Sequence, residues 1–90
     1  MTIRYTPDAI QDLNHIQEYS AKDNPKAALV VASFIKSSIR SLDVFPHRGR
    51  ATQNPAVRHL GVMNYPYVVY YSVKKSEVHI LNIFHSAQDQ

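Results

Sequence analysis

The last third of the chain decides the fold: residues 57–90 read VRHLGVMNYPYVVYYSVKKSEVHILNIFHSAQDQ. Three runs within it, at 57–62, 66–73 and 77–84, are rich in β-branched and aromatic residues, and short polar breaks separate them. Because such short connections cannot support parallel crossovers, the runs predict an antiparallel meander of three strands. Both alternating sets of side chains in 66–73 are largely apolar or aromatic, which predicts a central strand covered on both faces or nearly so.

Two helices are predicted ahead of the meander. Thr6 followed by Pro7, and Asn24 followed by Pro25, each place a capping residue before a proline at the first helical position. Apolar residues then recur at helical spacing. We therefore predict helices over residues 7–21 and 25–43, joined by a short break that favours an antiparallel hairpin.

The predicted order of elements is β-α-α-β-β-β, because residues 2–5 form a further short β-type run. Residues 45–56 contain three turn-forming positions, Pro46, Gly49 and Pro55, and are predicted to form a loop. The fold class is therefore α+β. An N-terminal helical hairpin packs on a small, mainly antiparallel sheet, and the first strand joins that sheet at one edge.

Composition excludes several classes of protein. Ninety residues predict one domain over 1–90, and no cysteine is present to form a disulfide or a thiolate site. The histidines lack metal-ligand spacing, so we expect no metal and no cofactor. No apolar run approaches the roughly 18–20 residues that span a bilayer, and the N-terminus lacks a signal-peptide core, so a cytoplasmic protein without membrane contact is expected.

The formal net charge of +3 lies entirely in residues 46–90, where five Lys/Arg side chains face two acidic ones. A basic surface of this kind attracts nucleic acid or an acidic protein, although an ordinary solvated surface is an equal alternative. Three tyrosines of the middle run, Tyr67, Tyr70 and Tyr71, could stack on bases, but core packing is the favoured interpretation.

Several short pieces of the chain occur together in a known order. They are Asp12-Leu13, Asn24-Pro25-Lys26-Ala27-Ala28, Leu42 with Phe45-Pro46 and Gly49-Arg50, Arg58 with Leu60, Pro66-Tyr67-Val68-Val69-Tyr70-Tyr71, and Val78 with Ile80-Leu81, Ile83 and His85. In order and spacing they resemble the ParE/RelE superfamily, the toxins of bacterial toxin–antitoxin pairs. The resemblance covers nearly the whole chain. It implies growth inhibition, plasmid stabilisation, and a toxin–antitoxin hetero-oligomer with a cognate antitoxin protein.

Two positions favour the ParE branch of this superfamily. RelE-like chains carry a catalytic arginine where this chain has Val68, and a second arginine where it has Gln88. The ending from His85 to Asp89 resembles the His-x-x-Met-Asp tail of ParE-like toxins, with Gln88 in place of methionine. The resemblance therefore implies inhibition of DNA gyrase. The alternative is a RelE-like, ribosome-dependent and metal-independent endoribonuclease acting on messenger RNA, and a weaker alternative is an inactive homologue that only binds its antitoxin.

The candidate site residues follow from these alternatives. Target contacts are expected at Arg58, His85, Gln88 and Asp89, and a nuclease would use Arg48, Arg50, Arg58 and His85. Structural alternatives stay open: Arg58 as a solvated strand residue, the two loop arginines in salt bridges to the hairpin, and His85 as a strand-ending residue hydrogen-bonded to backbone.

The second predicted helix has an apolar arc wider than one packing face requires. Val30 and Phe34 lie beside its main apolar stripe. An apolar surface of this kind on a small domain indicates a partner that covers it. We therefore predict that Val30 and Phe34 contact the antitoxin, which would lie as an extended or helical segment along the hairpin and the sheet.

Overall fold

The chain folds as an α+β structure, seen in a computed structural model that describes residues 1–86. The elements are β1 (Thr2–Tyr5), α1 (Pro7–Asp23), α2 (Pro25–Arg40), a 3-10 turn (Ser41–Asp43), β2 (Arg50–Ala51), β3 (Arg58–Gly61), β4 (Tyr67–Lys74) and β5 (Glu77–His85). The predicted helical hairpin is confirmed. Within the part of the chain described, no helix combines the length and apolar character needed to cross a membrane.

The sheet has five strands in the order β1-β5-β4-β3-β2. β3, β4 and β5 form the predicted antiparallel meander, and β1 joins β5 in parallel at one edge, as predicted. The fifth strand was not predicted. Arg50 and Ala51, inside the expected loop, pair with His59 and Arg58 of β3. The prolines at 46 and 55 lie outside this two-residue strand, so its ladder hydrogen bonds remain possible.

The helix caps work as the sequence predicts. Thr6 Oγ1 accepts a hydrogen bond of 3.2 Å from the Ala9 backbone N–H, and Asn24 Oδ1 accepts one of 2.9 Å from the Lys26 N–H. The Thr6 hydroxyl also donates to the Ile80 carbonyl at 2.7 Å, which ties the start of α1 to the middle of β5. One threonine thus fixes both the helix start and its position on the sheet.

Thr6→Ala is expected to lower the free energy of unfolding by about 2–3 kcal/mol, because it removes a helix cap and a hydroxyl bond to the sheet. Urea unfolding of the purified chain measures the change. Asn24→Ala is the matched control, since Asn24 caps α2 on an exposed backbone without a bond to the sheet, and its expected cost is about 1 kcal/mol. An equal or smaller cost at Thr6 would contradict the dual role.

The apolar core lies between the helical hairpin and one face of the sheet. It contains Ala9, Leu13 and Ile16 of α1, Val31, Ile35 and Ile39 of α2, Leu42 of the 3-10 turn, Leu60, Val62, Tyr67, Val69 and Tyr71 around β3 and β4, and Val78, Ile80 and Ile83 of β5. Alternate residues of β4 enter this core in regular succession. The same alternation fails in β5.

A β-bulge explains the irregular pattern of β5. Tyr71 pairs with Ile80, while the adjacent Tyr70 pairs with Asn82, so β5 contains one extra residue, Leu81. The bulge shifts the side-chain alternation by one position, and Ile83 instead of Asn82 follows Ile80 into the core. No local sequence signal marked this shift.

The opposite face of the sheet, which we call the open face, is less covered than predicted. Val68 and Tyr70 of the central strand are only half-buried there, and Gly61 and Phe84 are exposed. The core described above joins both helices to the other face. The expectation that β4 is covered on both faces is therefore met on one face only, and the open face remains accessible for binding.

Candidate functional site

A shallow groove of about 370 Å³ crosses the open face at β2, β3 and β4. Its lining residues are Arg48, Gly49, Arg50, His59, Leu60, Gly61 and Val68. Arg50 lies directly opposite His59, and Gly61 lies directly opposite Val68, so these four residues share the open face. The groove thus brings two arginines beside Val68, the position where RelE-like chains carry a catalytic arginine.

Arg58 faces away from this groove. It pairs with Tyr71, whose side chain is fully buried on the core face, and successive strand residues point to opposite faces. Its Nη1 donates to the carbonyl of Gly49 at 2.8 Å and to that of His47 at 3.4 Å. The guanidinium therefore holds the loop that precedes β2, and the side chain is half-buried. A target contact by Arg58 stays a prediction.

Tyr71 holds the same loop from inside the core. Its hydroxyl accepts a buried hydrogen bond of 2.9 Å from the Gly49 backbone N–H. Arg58 bonds the carbonyl of Gly49 while Tyr71 bonds its N–H, so both backbone groups of this glycine are fixed. This clamp positions Arg48 and Arg50, the residues on either side of Gly49.

The two loop arginines have different surroundings. Arg48 Nη1 donates to the hydroxyl of Ser41 at 2.8 Å, at the end of α2. This bond replaces the salt bridge to the hairpin that was considered from sequence. The Arg50 side chain is exposed at the edge of the sheet. Both side chains are exposed, and the two arginines differ in that the Arg48 guanidinium is held by the Ser41 hydroxyl.

His85 lies in a second cleft, of about 690 Å³, between α1 and the ends of β4 and β5. The lining residues are Asp12, His15, Ile16, Tyr19, Tyr67, Ile83, Phe84 and His85. The His85 ring meets the Tyr67 ring edge to face, with centroids 5.4 Å apart, and burial raises the pKa of Tyr67. Asp12 Oδ2 accepts the Ile83 backbone N–H at 3.0 Å, which holds α1 against β5.

Residues 1–86 contain no group of three His, Asp or Glu side chains arranged to hold a metal ion. Asp12, His15 and His85 line one cleft, yet the Asp12 carboxylate also accepts the side-chain N–H of Asn82, at 3.3 Å. The cleft is therefore predominantly an aromatic surface with a carboxylate committed to the fold.

The four residues of the predicted nuclease set do not converge. Arg58 and His85 pair with Tyr71 and Tyr67 on opposite sides of β4, and these two tyrosines are roughly 13 Å apart along the strand. Arg48 and Arg50 line the groove on the open face instead. Gln88 and Asp89 lie outside the described residues. The sheet carries Arg58 and His85 together, as expected, but in separate environments.

The predicted antitoxin contacts are partly accessible. Val30 is 44% exposed, whereas Phe34 is half-buried and its ring packs against Tyr65 at a centroid distance of 5.3 Å. Leu29, which was not singled out from sequence, is 69% exposed on the same helix. The apolar surface of α2 therefore extends over Leu29 and Val30, and Phe34 links it to the turn between β3 and β4.

Comparisons with known proteins agree on one family. The model for the ParE toxin of the type II toxin–antitoxin system parDE matches residues 3–90. Putative toxin Y4kP of Sinorhizobium fredii is 33% identical over 86 residues, which are 96% of this chain and 88% of that protein. Toxin RelE2 of Caulobacter vibrioides is 37% identical over 84 residues, 93% of each chain. The structure of a chromosomal ParDE toxin–antitoxin system from P. aeruginosa superposes with a TM-score of 0.83 at 28% identity, covering 94% of this chain and 95% of that one.

Proposed function

Because this chain belongs to the ParE toxin family of type II toxin–antitoxin systems, we propose that it inhibits DNA gyrase until its cognate antitoxin neutralises it. Gyrase inhibition would take place in the cytoplasm. It would cause the growth inhibition and the plasmid stabilisation that the resemblance implies. One observation carries the choice of target. Val68 lines the open-face groove at the position where RelE-like chains carry a catalytic arginine, so this position supplies no cation to a scissile phosphate.

The position of Arg58 supports the same choice. A nuclease needs several cations around one phosphate and a nearby proton acceptor. Arg58 bonds two loop carbonyls on the core side, and His85 lies in the other cleft. Among residues 1–86, the cations that line the groove are Arg48 and Arg50, with His59 beside them. This set can attract an anion, but it is incomplete for metal-independent cleavage.

The alternative target is messenger RNA on the ribosome. It is favoured by the two arginines that remain in the groove and by the name of one relative, Toxin RelE2. If this alternative holds, Arg48 and Arg50 would contact the phosphate directly, while Arg58 would act by positioning their loop. His85 would have to be replaced as the proton acceptor by His59, which shares the face with Arg50.

A supercoiling assay tests the proposed target. Purified toxin is added to gyrase and relaxed plasmid, and we expect supercoiling to stop. Toxin premixed with its antitoxin is the matched control and should leave supercoiling intact. Unchanged supercoiling at toxin concentrations well above that of gyrase would reject the proposal, as would growth arrest in cells without a DNA damage response and filamentation.

We propose target contacts at the cleft that contains His85, and we retain Gln88 and Asp89 as target contacts expected from sequence. The exposed aromatic surface of this cleft, which includes Tyr19 and Phe84, offers the kind of anchor that protein interfaces use. Arg58 is assigned a positioning role for the loop before β2. His85→Ala should therefore weaken gyrase inhibition strongly while lowering stability only by about 0.5–1.5 kcal/mol, the value of its edge-to-face contact with Tyr67. Arg58→Ala should lower both stability and inhibition, because it releases the loop before β2.

Antitoxin binding is expected to depend on Val30. Val30→Glu places a charge in the apolar surface of α2, and we expect affinity for the antitoxin to fall at least tenfold, because the charge must be desolvated. Titration calorimetry measures the change. Val44→Glu is the matched control, since Val44 is also an exposed valine but lies beyond the hairpin, after the 3-10 turn. Equal losses for both variants would contradict this interface.

A further inference from the structure

A row of three aromatic rings crosses the open face and has no role in the core. The rings of His59 and Tyr70 have centroids 5.7 Å apart, and those of Tyr70 and Phe84 are also 5.7 Å apart. We call these three residues the aromatic row. His59 and Tyr70 are half-buried and Phe84 is 37% exposed, so each ring presents surface to solvent.

Positive charge lies at one end of the aromatic row. Arg50 is paired directly with His59, and Arg48 lines the adjoining groove. Between residues 44 and 86 the chain has a single acidic side chain, Glu77. Its carboxylate is bonded to Arg4 Nε at 2.7 Å and lies 3.3 Å from His79 Nε2, near the far end of β5. The field is therefore positive at the His59 end of the row, whereas the Asp12 carboxylate lines the cleft beside Phe84 at the other end.

Gly61 leaves room for a ligand beside the row. It lies opposite Val68 on the open face, is exposed, and a Cβ added there would have no heavy atom within 4 Å. Its backbone φ is not positive either. Neither packing nor conformation requires glycine in this strand, where a β-branched residue is normally favoured. The missing side chain keeps the groove open beside His59 and Val68.

We propose that the open face binds single-stranded nucleic acid, with Arg48 and Arg50 on the sugar–phosphate backbone and the aromatic row stacking against unpaired bases. Aromatic rings on an exposed sheet beside cations bind single strands with little sequence preference, because every base has a π-face. The binding involves no bond cleavage. It goes beyond gyrase inhibition and is measured independently of it.

Fluorescence anisotropy with the purified chain tests this binding. The probes are fluorescein-labelled oligo-dT, oligo-U and a DNA duplex of the same length. Both single strands should bind more tightly than the duplex, whose bases cannot reach the row. Two phosphate contacts predict that raising the salt about fourfold weakens single-strand binding roughly sevenfold. A preference for one of the single strands identifies whether DNA or RNA is the better ligand.

Three variants locate the binding on the open face. Arg50→Ala, Phe84→Ala and Gly61→Val should each weaken binding about fivefold or more, through loss of a cation, of a stacking ring and of groove space. The matched control is Lys36→Ala on α2, which removes an exposed cation elsewhere and should bind like the parent chain. Circular dichroism and thermal melting of every variant separate loss of binding from loss of fold.

Absence of binding to either single strand at low salt would overturn the proposal. So would equal losses in Lys36→Ala and Arg50→Ala, which indicate only nonspecific attraction, or a preference for the duplex. Binding that leaves the oligonucleotides uncleaved supports the proposal. Binding followed by cleavage of oligo-U would support the surface and contradict gyrase as the target, so failure of the two proposals can be told apart.

Discussion

Gly49→Ala is expected to lower the free energy of unfolding by about 2–5 kcal/mol, the largest stability effect that we predict for a single methyl group. A Cβ at this position would lie 2.5 Å from the Tyr71 hydroxyl oxygen and 2.8 Å from the backbone carbonyl of His59. The side chain of Tyr71 is fully buried and cannot move aside easily. Relief of the clash would break the buried hydrogen bond from the Gly49 N–H.

Gly61→Ala is the matched control, because the added methyl group meets no heavy atom within 4 Å and should change stability by less than about 0.5 kcal/mol. Thermal melting resolves the two variants, since each kcal/mol shifts the midpoint by about 4–8 °C in a domain of this size. If Gly49→Ala melts together with Gly61→Ala, the loop before β2 is not clamped as described.

Tyr71→Phe separates the hydrogen bond from the steric clash. It removes only the hydroxyl that accepts the Gly49 N–H, so we expect a cost of about 1–3 kcal/mol. Because Arg58 still bonds the Gly49 carbonyl, the loop should remain attached to the sheet.

Local signals in the sequence were sufficient to predict the helical hairpin and the antiparallel meander. Thr6-Pro7 and Asn24-Pro25 specify where both helices begin, since capping and proline chemistry act within one turn. The short connections of the meander leave antiparallel pairing as the available arrangement. The two-residue β2 lacked such a signal, because its pairing depends on β3, which lies several residues further along the chain.

The candidate site was less predictable because it depends on strand register. Residues that alternate along a strand reach opposite faces, so a shift of one position decides whether Arg58 or His59 faces the groove. The structure selects His59 and turns Arg58 toward the loop carbonyls. Similarly, the bulge at Leu81 changes which residues of β5 reach the open face, and it places Phe84 beside Tyr70. Sequence alternation alone could not supply either register.

Cleavage of ribosome-bound messenger RNA by this chain is expected to be slower than cleavage by a RelE-type toxin by a factor of about 10²–10³. Removing one preorganised charge-stabilising donor typically has that effect on rate. Val68 lines the groove where the cation is needed, directly opposite Gly61 and on the same face as the pair formed by Arg50 and His59. Arg58 cannot substitute for it without releasing the Gly49 carbonyl and turning to the other face.

The measurement compares the two toxins on the same programmed ribosomes, with primer extension to detect cleaved messages. Val68→Arg tests the cause directly, because it adds a guanidinium at the half-buried groove position, and we expect it to raise the residual rate. Arg50→Ala in the Val68→Arg background should remove that gain, since both cations would act on one phosphate. The contrary outcome is that the parent chain cleaves within about tenfold of the RelE-type toxin and loses this activity on Arg50→Ala. In that case Arg48, Arg50 and His59 are sufficient for cleavage, and messenger RNA replaces gyrase as the target.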